Sequence, residues 1–180
     1  MRTDAVRNLD AVLQAGARLL AEDPGTSVSA IAAAAGVDRR TVYRRFPNRD
    51  ALLCGVFQAK LDALDDAITQ SRLTEAPVGV ALHKFVEGAI RVSRAYPVGT
   101  EQMGCSSSAV EKLLEQRERI ETFLRRAVDE GLIRTDLPDG MAWTLLYGIV
   151  SLVAHQFTDL EGGRAADLAV EILLGGIGTS

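Results

Sequence analysis

The chain has 180 residues, 47% of them hydrophobic and 24% charged, with a formal net charge of −4. That size holds one or two small domains with room for a real core, and its ordinary composition leaves no low-complexity tract. The charge is uneven, since residues 1–50 hold 8 basic and 6 acidic side chains and the other 130 hold 12 and 18, so the acidic remainder disfavours non-specific contact with DNA or a membrane.

Met1 to Arg7 leads straight into an amphipathic helix, so no signal peptide is expected. That helix spans about Thr3 to Ala21, with Val6, Leu9, Leu13, Ala17 and Leu20 as its buried stripe. Asp23-Pro24-Gly25-Thr26 reads as a turn. Ser27 is a good N-cap for a short helix from about Val28 to Ala35, in which Ile31 is the one large anchor. Gly36 stops that helix by entering the left-handed conformation without a Cβ penalty, and Val37 plugs the corner. Asp38 caps a second short helix, about Arg39 to Phe46.

This second helix has two faces. Val42 and Phe46 lie four apart and face the core, while Arg39, Arg40, Thr41, Tyr43 and Arg44 cover most of the rest. Two short helices around a tight turn, the second loaded with arginine, make a helix-turn-helix that fits the major groove of duplex DNA. Arginine pairs with guanine O6 and N7 or grips phosphate, and threonine touches a thymine methyl. Tyr43 and Arg45 are placed as phosphate contacts, which set register. Pro47 ends the helix, Asn48 caps the next, and Arg49 stands where backbone N–H groups and a side chain share a phosphate. The candidate DNA contacts are Ser27, Ser29, Arg39, Arg40, Thr41, Tyr43, Arg44, Arg45 and Arg49.

A long helix follows over about Arg49 to Gln70, its apolar side made of Leu52, Leu53, Val56, Phe57, Leu61, Leu64 and Ile68. The next spans about Val78 to Ala95 and is broken by Pro97 and Gly99. Gly99 to Ser108 reads as a loop, and Ser108 to Glu130 as a helix capped by Gly131. Glu115, Glu118 and Glu121 interleave with Arg117 and Arg119 on its solvent face as ion pairs. The last two helices, about Met141–Phe157 and Arg164–Leu174, are so apolar that the first must be covered nearly all round, one side of it by another chain. The uncharged run Gly140 to Thr158 carries Thr144, Ser151, His155 and Gln156 and is barely of spanning length, so a buried or subunit-interface helix is expected there and no membrane contact. Nothing reads as a strand.

Residues Ile31-Ala32, Ala35-Gly36-Val37, Thr41-Val42-Tyr43, Phe46, Asn48-Arg49 and Ala51-Leu52 resemble the DNA-binding domain of the tetracycline-repressor (TetR) family of bacterial regulators. Asp38, the pair Arg39-Arg40 and Arg49 depart from the residues common in that family, and each keeps its physical role. The resemblance implies an all-α fold of about nine helices, with a helix-turn-helix domain over residues 1–50 and a helical ligand-binding and dimerisation domain over 51–180. It further implies a cytoplasmic homodimer whose last two helices form a four-helix interface. Such a dimer sits on an inverted-repeat operator with half-sites whole turns apart, about 34–36 Å per turn. A small apolar effector bound in the C-terminal domain releases it.

Candidate effector contacts are Phe85, Ile90, Tyr96, Met103, Trp143 and Tyr147, with Phe157 beside them and His83, Gln102 and His155 as further polar anchors. Each is more readily read as plain core, since buried aromatics and methionines usually just pack. No Cys/His/Asp cluster has metal-ligand spacing, no cofactor is expected, and Ser106-Ser107-Ser108 lacks a catalytic partner, so no enzyme is expected. Cys54 and Cys105 fit a reducing cytoplasm, and Cys54 is more simply a small buried hydrophobe than half of a redox switch. The competing functional class is an effector-independent DNA-binding protein that acts through a protein partner.

Overall fold

Eight helices and no extended strand make up the described residues of the computed structural model, 2–99 and 107–179, with side chains described from Arg7 onward. They are α1 (Arg2–Glu22), α2 (Val28–Ala34), α3 (Arg39–Arg45), α4 (Arg49–Ser71), α5 (Val78–Ala95), α6 (Ser107–Asp129), α7 (Met141–Gln156) and α8 (Gly162–Ile177). The count is eight where about nine were expected. Their bounds fall within three residues of those read from capping and periodicity, because the expected stops are present. Gly36 sits at φ 66° and Gly131 at φ 77°, the left-handed region that ends a helix at least cost in glycine.

The chain divides into two compact units. Unit one comprises Met1–Leu61 with Ala95–Val110, and unit two Asp62–Arg94 with Glu111–Ser180. The division falls inside α4 and α6 rather than at the start of α4.

In unit one, α1 buries Leu13, Ala17 and Leu20 as its pattern predicts, and adds Val12 and Ala15. Leu9 is half-buried. Ile31 of α2 is fully buried, and Val42, Phe46, Leu52, Val56 and Phe57 close the core from α3 and α4. Complete burial of one such side chain contributes about 1.5–3 kcal/mol. The tightest approach is between α3 and α4, where an added Cβ at Gly55 would lie 2.5 Å from Phe46 Cε1 and 3.3 Å from Leu13 Cδ2.

Unit two is built around the apolar face of α5, where Leu82, Phe85, Val86 and Ile90 meet Ile120, Phe123 and Leu124 of α6 and Leu146, Val150 and Val153 of α7 in one core. Gly88 lets α5 approach α4 closely, since a Cβ there would stand 2.8 Å from Ala67 Cβ. Two arginines tie helix ends together. Arg126 Nη1 and Nη2 donate to the carbonyls of Leu73 and Ala76 at 2.7 and 2.9 Å, and Arg94 Nη1 and Nη2 to those of Leu160 and Phe157, both at 2.9 Å. These carbonyls lie at or just beyond helix ends, where no intrahelical donor remains.

The second-to-last helix is not covered all round within this chain. Leu146, Val150, Val153 and Ala154 of α7 are buried. Met141, Leu145, Tyr147, Leu152 and Phe157 are 37–54% exposed, and Ile172 of α8 is 45% exposed.

Gly55→Ala is expected to lower unfolding free energy by about 1–3 kcal/mol, the usual result of overpacking. Gly79→Ala, on an exposed stretch of α5 where an added Cβ meets nothing within 4 Å, should raise it by about 0.5–1 kcal/mol. Urea unfolding of the two variants beside the wild type checks both signs.

Candidate nucleic-acid interface

The caps that position the helix-turn-helix are those the sequence predicts. Ser27 Oγ accepts from the Ala30 N–H at 3.1 Å, Asp38 Oδ1 from the Arg40 N–H at 2.8 Å, and Asn48 Oδ1 from the Ala51 N–H at 2.8 Å. Each satisfies an N–H that a helix start leaves without a partner. Between the first two caps, the backbone N–H groups of Gly36 and Val37 donate to Ala33 and Ala32 carbonyls at 3.1 and 3.0 Å, closing the turn.

α3 is held by Val42 and Phe46, 2% and 7% exposed. Its opposite side carries Arg40, Thr41, Arg44 and Arg45, all exposed. None of these three arginines forms an ion pair among the described residues, so the outward face of α3 keeps its full positive charge.

Tyr43 lies between the two faces and is half-buried. The Arg39 guanidinium carbon stands 5.1 Å from its ring centroid, within the range of a cation–π contact. The Ser29 side chain on α2 is the main influence holding the Tyr43 phenol below the ordinary tyrosine value, with burial opposing it and Arg39 adding to the lowering. The structure thus joins three of the predicted contacts, Ser29, Tyr43 and Arg39, into one cluster.

Two predicted contacts have structural work within unit one. Ser27 uses its oxygen as the α2 cap. Arg49 Nη2 donates to the Pro24 carbonyl, Nη1 lies 3.9 Å from Asp50, and the side chain is 39% exposed. Arg49 therefore ties the start of α4 to the α1–α2 turn. No local pattern announces this tie, because its partner is a backbone carbonyl 25 residues away.

The candidate effector contacts divide between the units. Phe85 and Ile90 belong to the core of unit two, and Trp143 packs at its edge. Tyr147 is 54% exposed and stacks on Trp143 with centroids 6.1 Å apart, while Arg117 lies 5.5 Å over the Trp143 ring. Tyr96 is buried in unit one. Gln102, Met103 and Cys105 lie outside the described residues. His83 Nε2 pairs with Asp167 Oδ1 at 2.9 Å between α5 and α8, and His155 and Phe157 are exposed. Arg117 pairs with Glu121 along α6 as expected, but Arg119 reaches Asp65 of α4 at 2.5 Å. Sequence reading did not find an open groove of about 470 Å³ in unit two, lined by Ile68, Arg72, Leu73, Glu115, Arg119 and Thr122 among others. Its two walls, within residues 68–75 and 115–122, are at least 40 residues apart along the chain, so no local sequence pattern reveals it.

Among the described residues no group of three His, Cys, Asp or Glu side chains is placed to hold a metal ion, and no helix is long and apolar enough to cross a membrane.

The sequence model for bacterial regulatory proteins of the tetR family matches residues 12–55, the segment from mid-α1 into α4. The HTH-type transcriptional repressor LfrR of Mycolicibacterium smegmatis is 40% identical over 81 residues. That match spans 45% of this chain and 43% of LfrR, under half the length of the relative. The crystal structure of LfrR in complex with proflavine, from Mycobacterium smegmatis, superposes with a TM-score of 0.73 at 26% identity, covering 97% of this chain and 99% of that one. Residues 12–55 thus carry the DNA-binding segment of the tetR family. A TetR family regulator from Marinobacter aquaeolei VT8 shares the fold over the whole of both chains, with a TM-score of 0.71 at 20% identity. The family match coincides with unit one's helix-turn-helix, and the similarity of fold extends over all eight helices.

The lowered Tyr43 value gives a spectroscopic prediction. Ultraviolet titration of the folded protein should show a phenolate component below the ordinary tyrosine range, absent from Tyr43→Phe. A depressed folded-state value favours the folded state above the ordinary tyrosine pKa, and this contribution is lost as pH falls through the folded value. A wild-type curve with no component below the ordinary range, or one whose low component persists in Tyr43→Phe, would contradict the lowered Tyr43 value.

Proposed function

We propose that this chain is a sequence-specific DNA-binding transcriptional regulator, acting as a homodimeric repressor on an inverted-repeat operator. The observation that carries the reading is α3 itself. Buried Val42 and Phe46 anchor it, while Arg40, Thr41, Arg44 and Arg45 stand outward with no acidic side chain neutralising them. Phosphate neutralisation by such groups supplies much of a DNA binder's affinity, and their approach to base edges supplies selectivity. The likeness to the repressor LfrR supports repression as the regulatory sense.

The exposed apolar residues of α7 and α8 support a homodimer. Leu145, Tyr147, Leu152, Phe157 and Ile172 are large exposed apolar side chains of the kind that a second copy covers in a two-fold interface. A two-fold dimer presents two copies of α3, and a palindromic operator follows from that symmetry.

Release of the operator by a small apolar molecule completes the reading. LfrR has been crystallised with proflavine. In this chain Phe85, Ile90, Trp143 and Tyr147 of unit two are the residues proposed to receive an effector. α4 contributes residues to both units and is the segment through which binding would act on α3. Coupling of this sort is typically about 1–3 kcal/mol and reciprocal, so operator DNA weakens effector binding by the same factor.

Selection of bound sequences from random duplex DNA should enrich an inverted repeat. Arg40→Ala should weaken binding to it about tenfold and make the affinity less steeply dependent on salt. No enrichment at low salt by a folded protein would overturn the reading. Leu152→Glu, which places a charge on the exposed α7 face, should sediment as a monomer at concentrations where the wild type is a dimer and lose at least tenfold in operator affinity. A variant that stays dimeric would move the interface elsewhere. With the operator in hand, proflavine titrated into the complex tests release; a complex indifferent to it and to other planar aromatic molecules would favour the effector-independent alternative.

A further inference from the structure

We propose that Arg39, held in place by Tyr43, reads a guanine in each operator half-site. The inference rests on the DNA-binding reading above and deepens it by separating one arginine of α3 from the others.

The four arginines of α3 look alike in sequence, but only one of them has a ring partner among the described contacts. Arg39 and Tyr43 are one helical turn apart, and the guanidinium lies over the Tyr43 ring at 5.1 Å from its centroid. Tyr43 is half-buried, and the Ser29 side chain of α2 is the main influence on its phenol. The arginine at the start of α3 is therefore held against a rigid, half-buried ring. Arg40, Arg44 and Arg45 are exposed and have no comparable tie among the described residues.

Two kinds of DNA contact make different demands. A phosphate accepts a donor from many directions, so a mobile arginine serves. Guanine O6 and N7 require two coplanar donors at one register and one orientation. A stack occupies only the face of the guanidinium, while its five N–H donors lie in the plane around the edge. These donors stay available for a bidentate contact. Pre-organisation also reduces the side-chain freedom lost on binding. Arg39 belongs to the first turn of α3, the part of a recognition helix that approaches base edges.

The test compares wild type, Arg39→Lys and Tyr43→Leu by selection from random duplexes, followed by titration of the enriched site with each base at every half-site position. Far-UV circular dichroism and thermal unfolding confirm that the variants fold, as substitutions on an exposed or half-exposed face should. Arg39→Lys keeps the positive charge and removes the planar fork. The expected result is a fixed guanine in each wild-type half-site, with its preference over the other bases reduced about tenfold or more in both variants. Selectivity at the remaining positions should persist. If Arg39→Lys selects the same bases as the wild type at every position, Arg39 is a phosphate or solvent-facing residue and the proposal falls. If Arg39→Lys loses the guanine but Tyr43→Leu retains it, the role assigned to the stack falls. Failure of the wild type to enrich any repeat would instead overturn the DNA-binding reading itself.

Discussion

Position 55 has no room for a side chain, and the orientation of α3 depends on that. The Phe46 ring occupies the space a Cβ would need. Phe46 follows directly after α3, and Gly55 lies in the second turn of α4. Their contact sets how far the end of α3 stands from α4, with Leu13 of α1 closing the same spot. Everything outward on α3 is aimed by this fit. Val42 reinforces it from one turn earlier, so the two apolar side chains fix both tilt and rotation. A helix of seven residues is far below the length at which isolated helices are stable, so tertiary packing and caps must supply its stability.

Arginine serves two opposed purposes in this chain. Arg49, Arg94 and Arg126 turn inward along the backbone and donate to carbonyls 25 to 66 residues away. They are staples, suited to the task because one planar group reaches two acceptors at once. Arg40, Arg44 and Arg45 turn outward, where mutual repulsion is tolerated because water screens it. Arg39 stands between these extremes, fixed on a ring yet exposed. The acidic residues follow a similar division. Glu121, Asp65 and Asp62 neutralise arginines and a lysine of unit two, while the outer face of α3 faces no acid. The basic surplus of residues 1–50 is thus concentrated further by the fold than by composition alone.

Unit two combines a dense apolar core with an apolar exterior on α7 and α8. With Leu152, Tyr147, Phe157 and Ile172 all exposed, unit two carries surface that water disfavours. The core itself contains two of the aromatic and aliphatic residues that sequence reading advanced as effector contacts, Phe85 and Ile90. A buried aromatic that packs and one that lines a binding cavity have identical neighbours in sequence, so periodicity treats them alike.

Much of the fold was legible before any coordinates. Capping residues, stop glycines and apolar periodicity are local, and they place all eight helices because each boundary is decided within four residues along the chain. Ser27, Gly36, Asp38 and Asn48 are of this kind. The same locality made the helix-turn-helix readable, since Val42 and Phe46 identify the inner face and the arginines occupy what is left. What sequence could not supply is any contact made across long separations. The Arg49 tie to Pro24, the influence of Ser29 on Tyr43, the close approach at Gly55 and the groove between α4 and α6 depend on which helices pack together. The sequence by itself determined where the helices begin and end and which face of α3 is charged, because those are properties of neighbours along the chain. Only the tertiary structure decided which arginines are bound to the protein and which are offered to a partner, because a guanidinium at the end of a long side chain takes its role from whatever acceptor folding brings within reach.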